Sequence, residues 1–183
     1  MSLGAALQSD QSDMTRFSKM SSLVLILGLT LLAGSVFAVD EERIVLSVGG
    51  EVDHPGQWTM PELQALSADA VVVTDEHEKT AEYRCVTFQQ LLERAGAVNG
   101  KAIKGERLTD YLVVTAADNY RVLFALPEID ALFANRKVFL CHTKNGHPLP
   151  DAEGPLRVLV PDEQRHARWV RHVTEIAIRH LQR

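Results

Sequence analysis

The sequence predicts an α+β fold of mixed β-sheets with short helices, and three observations support this. Short runs rich in Val, Ile, Leu and Thr recur along the chain and are bounded by turn-forming Gly, Pro, Asn and Asp. Helix-start signals lie between some of these runs. Other runs are joined by short turns typical of β-hairpins. Together these features indicate one mixed α+β domain.

The first half of the domain begins with an alternating strand at residues 44–48. A turn at residues 54–56 leads to a capping box at residues 59–62, which predicts a short helix that ends near Leu66. The apolar run at residues 70–73 predicts a second strand.

A strand at residues 82–86 precedes a second capping box at residues 87–90. The apolar residues that follow recur at helical spacing on one face, and Gly96 ends the predicted helix. Runs at residues 111–116 and 121–125 flank an Asp-Asn turn, and this pattern predicts a hairpin.

The last third of the chain predicts a short helix at residues 127–133 and a strand at residues 137–142. The run at residues 154–161 has four apolar side chains and one charge between two prolines. Such a compact run, bounded by prolines, indicates a short buried strand. A closing strand is predicted at residues 173–179.

The N-terminal segment is typical of a secretory signal peptide. Arg16 and Lys19 form a positive region, residues 21–36 are almost entirely apolar, and small residues at the cleavage positions predict a cut after Ala38. The alternative is an uncleaved membrane anchor, because the apolar run is close to the lower limit of about 17 residues for a membrane span.

Cleavage after Ala38 leaves a signal peptide at residues 1–38, with an N-terminal extension if Met14 or Met20 is the initiator, and one domain at residues 39–183. We therefore expect a periplasmic or secreted protein with no stable membrane span after cleavage. The chain is 46% hydrophobic and has a net charge of -5, so it can form a real core but lacks the basic excess that nucleic acid requires.

Export makes Cys85 and Cys141 candidates for one disulfide, and two buried free thiols are the alternative. Metal sites have weaker support. The carboxylate-rich segment at residues 75–79 could bind a metal, but we favour the interpretation that it is a solvated loop tip. His142 and His147, which flank a turn, are too few for a tight site.

Five sequence segments, taken in order, are similar to one known family. They are residues 85–96 (CVTFQQLLERAG), 118–120 with 125–128, 145–150 (NGHPLP), 154–161 (GPLRVLVP) and 168–170 (RWV). They resemble the segments GVPLxDLLxxAG, DGY…L.EA, NGEPLP, GAPLRLVVP and KW of the molybdopterin-binding domain of the sulfite oxidase family. The order and spacing agree from about residue 44 to the end of the chain.

The resemblance implies a fold of several mixed sheets and an oxidoreductase that uses molybdopterin. In the family, one cysteine thiolate, about a dozen residues before the GVPL glycine, ligates molybdenum, a metal that suits a soft sulfur donor. Here that region is residues 72–75 and contains no cysteine, and Cys85 occupies the glycine position itself. We therefore expect no metal ligand, no catalytic residue and no cofactor, unless another strand register brings Cys85 close.

The most unusual polar stretch is at residues 161–172. The resemblance implies that this loop contacts a phosphate, and Arg165 and Arg168 could bind a phosphate or carboxylate with both guanidinium nitrogens. Trp169 could pack over a flat ligand or fill the core, and the resemblance places Tyr120 in the family's cleft. The alternative is a solvated loop whose arginines pair with nearby carboxylates.

Two hypotheses follow from the sequence. The first is an exported, non-catalytic module that binds a small anion or a partner protein. The second is a molybdopterin-dependent oxidoreductase with altered metal ligation. Because Arg16 and Lys19 are separated and form no Arg-Arg pair, the signal does not resemble the twin-arginine type that exports folded, cofactor-loaded enzymes. This favours the first hypothesis.

Overall fold

The structure is a computed structural model that describes residues 43–67, 69–74, 80–134 and 136–181. The strands are β1 (Ile44–Gly50), β2 (Gly56–Thr59), β3 (Asp69–Thr74), β4 (Thr80–Thr87), β5 (Asp110–Ala116), β6 (Arg121–Ala125), β7 (Phe139–Lys144), β8 (His147–Pro148), β9 (Arg157–Leu159) and β10 (Val173–His180). The helices are α1 (Met60–Leu66), α2 (Phe88–Arg94) and α3 (Leu126–Ile129), with short 3₁₀ turns at Gly100–Ala102, Gly105–Thr109 and His166–Arg168.

The first sheet is built around the C-terminal strand. Its order is β2-β1-β10-β5-β6, with β10 parallel to β1 and antiparallel to β5. Alternate residues of β5 are buried, whereas β10, at the centre of the sheet, buries Val173 and the three consecutive residues Ile176, Ala177 and Ile178. The alternation reflects the period of two in a strand, which turns one set of side chains to the core.

The second sheet has the order β3-β4-β7-β8, and β9 also pairs with β7. Cys85 of β4 lies directly opposite Cys141 of β7, and a disulfide joins the two. This confirms the pairing that the sequence left open. Arg157 of β9 lies directly opposite Cys141 on the other side of β7. Directly opposed residues share one face of a sheet, so the disulfide and Arg157 lie in one cross-strand row.

Local capping explains where the helices begin. The Thr87 hydroxyl accepts a hydrogen bond from Gln90 N at 3.1 Å, and Thr87 N donates to Gln90 Oε1 at 2.9 Å. This reciprocal pair is the predicted capping box. Gly96 follows α2 with φ +72°, and an added Cβ there would lie 2.8 Å from the Asp53 Cβ. A glycine is therefore needed for both conformation and space.

The mixed sheets and short helices confirm the predicted α+β class. Three local predictions differ from the structure. A short strand, β2, follows the predicted turn at 54–56 because it pairs with β1. Helix α3 has only four residues. The strand expected at 154–161 contracts to β9, although that strand is buried as predicted. The predicted signal peptide lies outside the described residues.

Candidate functional site

A cleft of about 980 Å³ lies between three loops that follow strand ends. One is the turn between β5 and β6, the second is the turn before β9, and the third is the segment at residues 164–172. Lys144, at the end of β7, and Arg157, on β9, contribute side chains from the second sheet. Loops set on a rigid scaffold are where binding residues commonly lie.

The β5–β6 turn is tied to the third loop by Tyr120. Asn119 has φ +66°, and Tyr120 N donates to Asp118 Oδ1 at 2.9 Å, which fixes the turn. The Tyr120 hydroxyl then donates to the Ala167 carbonyl at 2.8 Å. Tyr120 therefore lines the cleft and also holds two of its loops together.

The third loop is also tied to the turn before β9. His172 has φ +52°, its N–H donates to the Glu153 carbonyl at 3.2 Å, and its carbonyl accepts from Ala117 N at 2.9 Å. All three loops therefore meet at His172, which lines the cleft. The backbone of Glu153 is held at this junction.

We call Lys144, Glu153 and Arg157 the cleft floor. Glu153 accepts hydrogen bonds from Lys144 Nζ at 2.9 Å and from Arg157 Nη1 at 2.5 Å. The Arg157 side chain is 7% exposed, and among the described residues its Nε has no hydrogen-bond partner. A buried N–H of this kind strongly favours an acceptor atom, because an unsatisfied buried donor is costly.

The charges of the floor stabilise one another. Burial acts to raise the pKa of Glu153, but hydrogen bonds and attraction from Lys144 and Arg157 outweigh it and hold that pKa below its usual value. Burial acts to lower the pKa of Lys144, and its hydrogen bonds to Glu153 and Tyr83 outweigh it and raise that pKa. Glu153 and Lys144 are therefore both ionised at neutral pH.

We call Arg165 and Arg171 the cleft rim. Both are exposed, both line the cleft, and neither side chain forms a hydrogen bond or ion pair with another described residue. The residues that line the cleft include four Lys or Arg side chains and two carboxylates, those of Asp118 and Glu153. A chain of net charge -5 therefore presents a locally positive cleft.

Arg168 does not line this cleft, although the sequence grouped it with Arg165. Its Nε donates to Glu163 at 2.7 Å and its Nη1 to Glu128 at 3.1 Å. Burial acts to lower the pKa of Arg168, and these two carboxylates outweigh it and raise that pKa. The alternative of an arginine paired with nearby carboxylates therefore describes Arg168, while Arg165 faces the cleft.

Trp169 lines the cleft but is only 5% exposed. Its Nε1 donates to the Val160 carbonyl at 3.0 Å, and the His166 ring stacks on it with 3.7 Å between ring centroids. The Arg157 guanidinium lies 5.7 Å from the centre of the same ring. Trp169 therefore serves as a packed wall, with one ring face covered by His166.

The two histidines considered for a metal do not face each other. His142 lies opposite Leu149, whose N–H donates to the His142 carbonyl, while exposed His147 pairs with Lys144. His142 Nε2 lies 2.8 Å from the Ser67 hydroxyl, and burial, then the charge of Arg84, lowers its pKa. No three His, Cys, Asp or Glu side chains in the described part of the chain could share a metal ion. The charged loop at residues 75–79 lies outside the described residues.

The sequence did not single out Lys144, Glu153, Arg157, Arg171 or His172 as site residues. The one available signal was Arg157, the lone charge in the apolar run at residues 154–161. A charge in a buried strand requires a partner and often marks a site. Its partner, Glu153, belongs to a turn whose position depends on the packing of three loops.

The fold and cleft define a class: an α+β domain of mixed sheets with a positive cleft formed by loops. The oxidoreductase molybdopterin binding domain model matches residues 33–182, so the chain belongs to that family. The sulfane dehydrogenase SoxCD from Paracoccus pantotrophus has a similar structure, with a TM-score of 0.59 and 19% identity. The match covers 76% of this chain and 39% of that chain, and it shows the fold alone. No curated protein sequence matches the chain.

Two further findings bear on the surroundings of the domain. In the part of the chain that the structure describes, no helix has the length and apolar character needed to cross a membrane. Cys85 and Cys141 are the two cysteines of the chain, and their sulfurs are bonded to each other and fully buried. Neither sulfur is free to ligate a metal while that bond is intact.

Proposed function

We propose that this chain is an exported, non-catalytic module that binds a small anion in the cleft of a molybdopterin-binding fold. The observation that supports this best is Arg157, a buried guanidinium of the cleft floor whose Nε has no hydrogen-bond partner among the described residues. An unpaired buried donor at the base of a positive cleft is suited to an oxyanion ligand. Arg165 and Arg171 on the rim add two guanidiniums without partners in the described structure.

The donor set supports a non-catalytic role. Guanidinium groups suit the oxygens of a phosphate. By resemblance to the family, however, a molybdenum centre here would require a cysteine thiolate as its ligand. The strand β3 residues at the corresponding position contain no sulfur, and the two cysteines are bonded to each other. These residues therefore do not fit a molybdenum ion held by a thiolate.

The same disulfide supports export. Disulfides persist in oxidising compartments such as the periplasm and are rare in the cytoplasm. The positive and then apolar N-terminal pattern, with its expected cleavage after Ala38, also supports export to such a compartment. Protein fractionation of the native cells, with the N-terminus of the mature chain sequenced, tests this part of the proposal.

Elemental analysis and pterin fluorescence test the absence of a molybdenum centre, on protein purified from its native compartment. We expect molybdenum far below one atom per chain. Stoichiometric molybdenum with bound pterin would overturn the proposal in favour of an oxidoreductase with altered ligation. Detection of pterin without molybdenum would keep the anion site but identify its ligand as an organic phosphate.

Calorimetric titration with inorganic sulfate tests anion binding. We expect Arg165→Ala to weaken sulfate binding by about 10-fold, because a charge-assisted contact is lost. Arg94→Ala is the matched control: it removes the same charge from the exposed end of α2, away from the cleft. Equal losses in the two variants, or no sulfate binding by the wild type, would contradict the proposed site.

A further inference from the structure

Glu153 occupies two donors of the cleft floor, Lys144 Nζ and Arg157 Nη1, and leaves the Arg157 Nε without a partner among the described residues. Its carboxylate accepts from Lys144 Nζ at 2.9 Å and from Arg157 Nη1 at 2.5 Å, and its side chain is only 15% exposed. Among the described residues, Lys144 and Arg157 form no other ion pair. In the cleft floor, the carboxylate of Glu153 thus already bridges the two cations, Lys144 and Arg157.

Backbone hydrogen bonds restrict the movement of Glu153 and Arg157. Glu153 N donates to the Pro150 carbonyl at 2.8 Å, and the Glu153 carbonyl accepts from His172 N at 3.2 Å. Arg157 is fixed by its place in β9, opposite Cys141. Rotation of the Glu153 side chain is therefore the direct way to expose both donors together.

We propose that Glu153 is a resident competing anion that sets the affinity and selectivity of the cleft. This rests on the proposed anion-binding function and adds the residue that regulates it. An external anion and the Glu153 carboxylate exclude each other on Lys144 and Arg157, because both require the same N–H donors and because like charges repel. The rim guanidiniums bind an approaching anion first, and full entry requires Glu153 to swing away.

The exclusion favours one class of ligand. A carboxylate that bridges two cations is displaced best by a group that offers several oxygens and more than one negative charge. Phosphate esters and sulfate meet this requirement, whereas chloride and simple monocarboxylates do not. The shared chemistry of the ligand is therefore a tetrahedral dianion, whether free or attached to a larger molecule.

The central variant is Glu153→Gln, titrated calorimetrically with inorganic sulfate and followed by tryptophan fluorescence, since Trp169 lines the cleft. We expect sulfate to bind about 10-fold more tightly, because the competitor is gone. We also expect the variant to be less stable without sulfate, since Arg157 loses its buried partner. Tighter binding with lower stability is a combination that a purely structural residue does not produce.

The matched control is Asp151→Asn, in the same turn as Glu153. Asp151 is exposed, does not line the cleft and forms no ion pair with a described residue, so the substitution removes the same charge without freeing a donor. We expect its sulfate affinity to stay within about twofold of the wild type, as for a screened surface charge. An equal gain in sulfate affinity in both variants would overturn the inference, because the loss of one negative charge near the cleft would then explain the whole effect.

A second comparison keeps the inference testable if Glu153→Gln folds poorly. Arg157→Met alone leaves Glu153 on Lys144, whereas Glu153→Gln with Arg157→Met removes both members of the buried pair and frees Lys144. We expect the double variant to bind sulfate more tightly than Arg157→Met, and equal or weaker binding would overturn the inference. If the wild type binds sulfate but Glu153 variants gain nothing, the inference fails alone. If no variant binds sulfate, the proposed function fails with it.

Discussion

Arg165 and Arg168 lie at the two ends of one short turn, yet their surroundings are opposite. Arg168 belongs to a set of five charged side chains that we call the closed network: Arg136, Arg168, Glu128, Asp162 and Glu163. In the network every cation has at least two carboxylate partners. Arg165, on the cleft rim, has no partner among the described residues.

The difference shows how to separate structural charges from functional ones. A network that satisfies its own members contributes to stability and leaves nothing for a ligand. The cleft has the reverse arrangement, since four cationic side chains and two carboxylates line it, and the buried Nε of Arg157 has no partner in the part of the chain that the structure describes. The predictions below test this division, starting with the largest effect.

The largest effect is expected at the disulfide, which lies in one cross-strand row with Arg157 of the cleft floor. Its two cysteines are separated by 56 positions, so replacing both with Ala frees a long loop in the unfolded chain and should reduce the free energy of unfolding by about 4 kcal/mol. Urea denaturation of wild type and Cys85→Ala/Cys141→Ala measures this. The closed network has no such covalent link, and a loss below about 1 kcal/mol would contradict the importance of the disulfide to the floor.

Matched substitutions of the two arginines compare the regions directly. Arg168→Met should lower the free energy of unfolding by about 2 kcal/mol, because Glu128 and Glu163 each lose a charge-assisted hydrogen bond and keep only Arg136 as a cationic partner among the described residues. Arg165→Met should change it by less than about 0.5 kcal/mol, since the side chain is exposed and contacts no partner within the described ranges. Urea denaturation combined with sulfate titration gives both quantities. Loss of sulfate binding in Arg168→Met with full stability would reverse our assignment.

A smaller effect is expected at Tyr120, whose hydroxyl joins the β5–β6 turn to the loop that carries Arg165. Tyr120→Phe removes the hydrogen bond from the hydroxyl to the Ala167 carbonyl and should cost about 1 kcal/mol of unfolding free energy. Because that contact holds the loop of Arg165, sulfate binding should also weaken, by about threefold. Thermal unfolding with and without sulfate measures the two changes. Unaltered sulfate affinity would show that the Tyr120–Ala167 hydrogen bond does not position Arg165 on the cleft rim.

The smallest effect concerns acid stability. The pKa of Glu153 is lower in the folded chain than its ordinary value of 4.5, so the ionised carboxylate stabilises the fold above that value. This stability is lost as the pH falls from about 4.5 through the folded pKa. The stability difference between wild type and Glu153→Gln should therefore shrink on acidification, as urea midpoints at neutral and acid pH would show. A constant difference would mean that Glu153 does not titrate as part of the floor.

Much of the fold could be predicted because its signals are local. The capping box of Thr87 and Gln90, the turn at Asn119 and the apolar run before Pro161 each lie within a few residues of sequence. Short-range hydrogen bonds and side-chain periodicity determine such elements. Strand β2 was missed because its pairing with β1 is a tertiary contact that overrides a turn-like sequence.

The site was predicted only in part. The polar stretch led to Arg165, Trp169 and the associated Tyr120, which do line the cleft, and also to Arg168, which does not. Sequence alone does not distinguish two arginines of the same segment, because the answer depends on which carboxylates the fold brings near. The floor was missed for the same reason, since Glu153 approaches Lys144 from a turn positioned by distant residues.

The hydrogen bond from Arg168 to the Leu123 carbonyl, at 3.0 Å, has a consequence for self-association. Leu123 lies on β6, one of the two edge strands of the first sheet, and the Ala125 N–H, two residues further along β6, donates to Glu128 at 3.0 Å. Exposed outer strands recruit strands from other molecules and promote aggregation. By occupying these two backbone groups, the same side chains that balance one another's charge also remove hydrogen-bonding positions that a strand from another molecule would need.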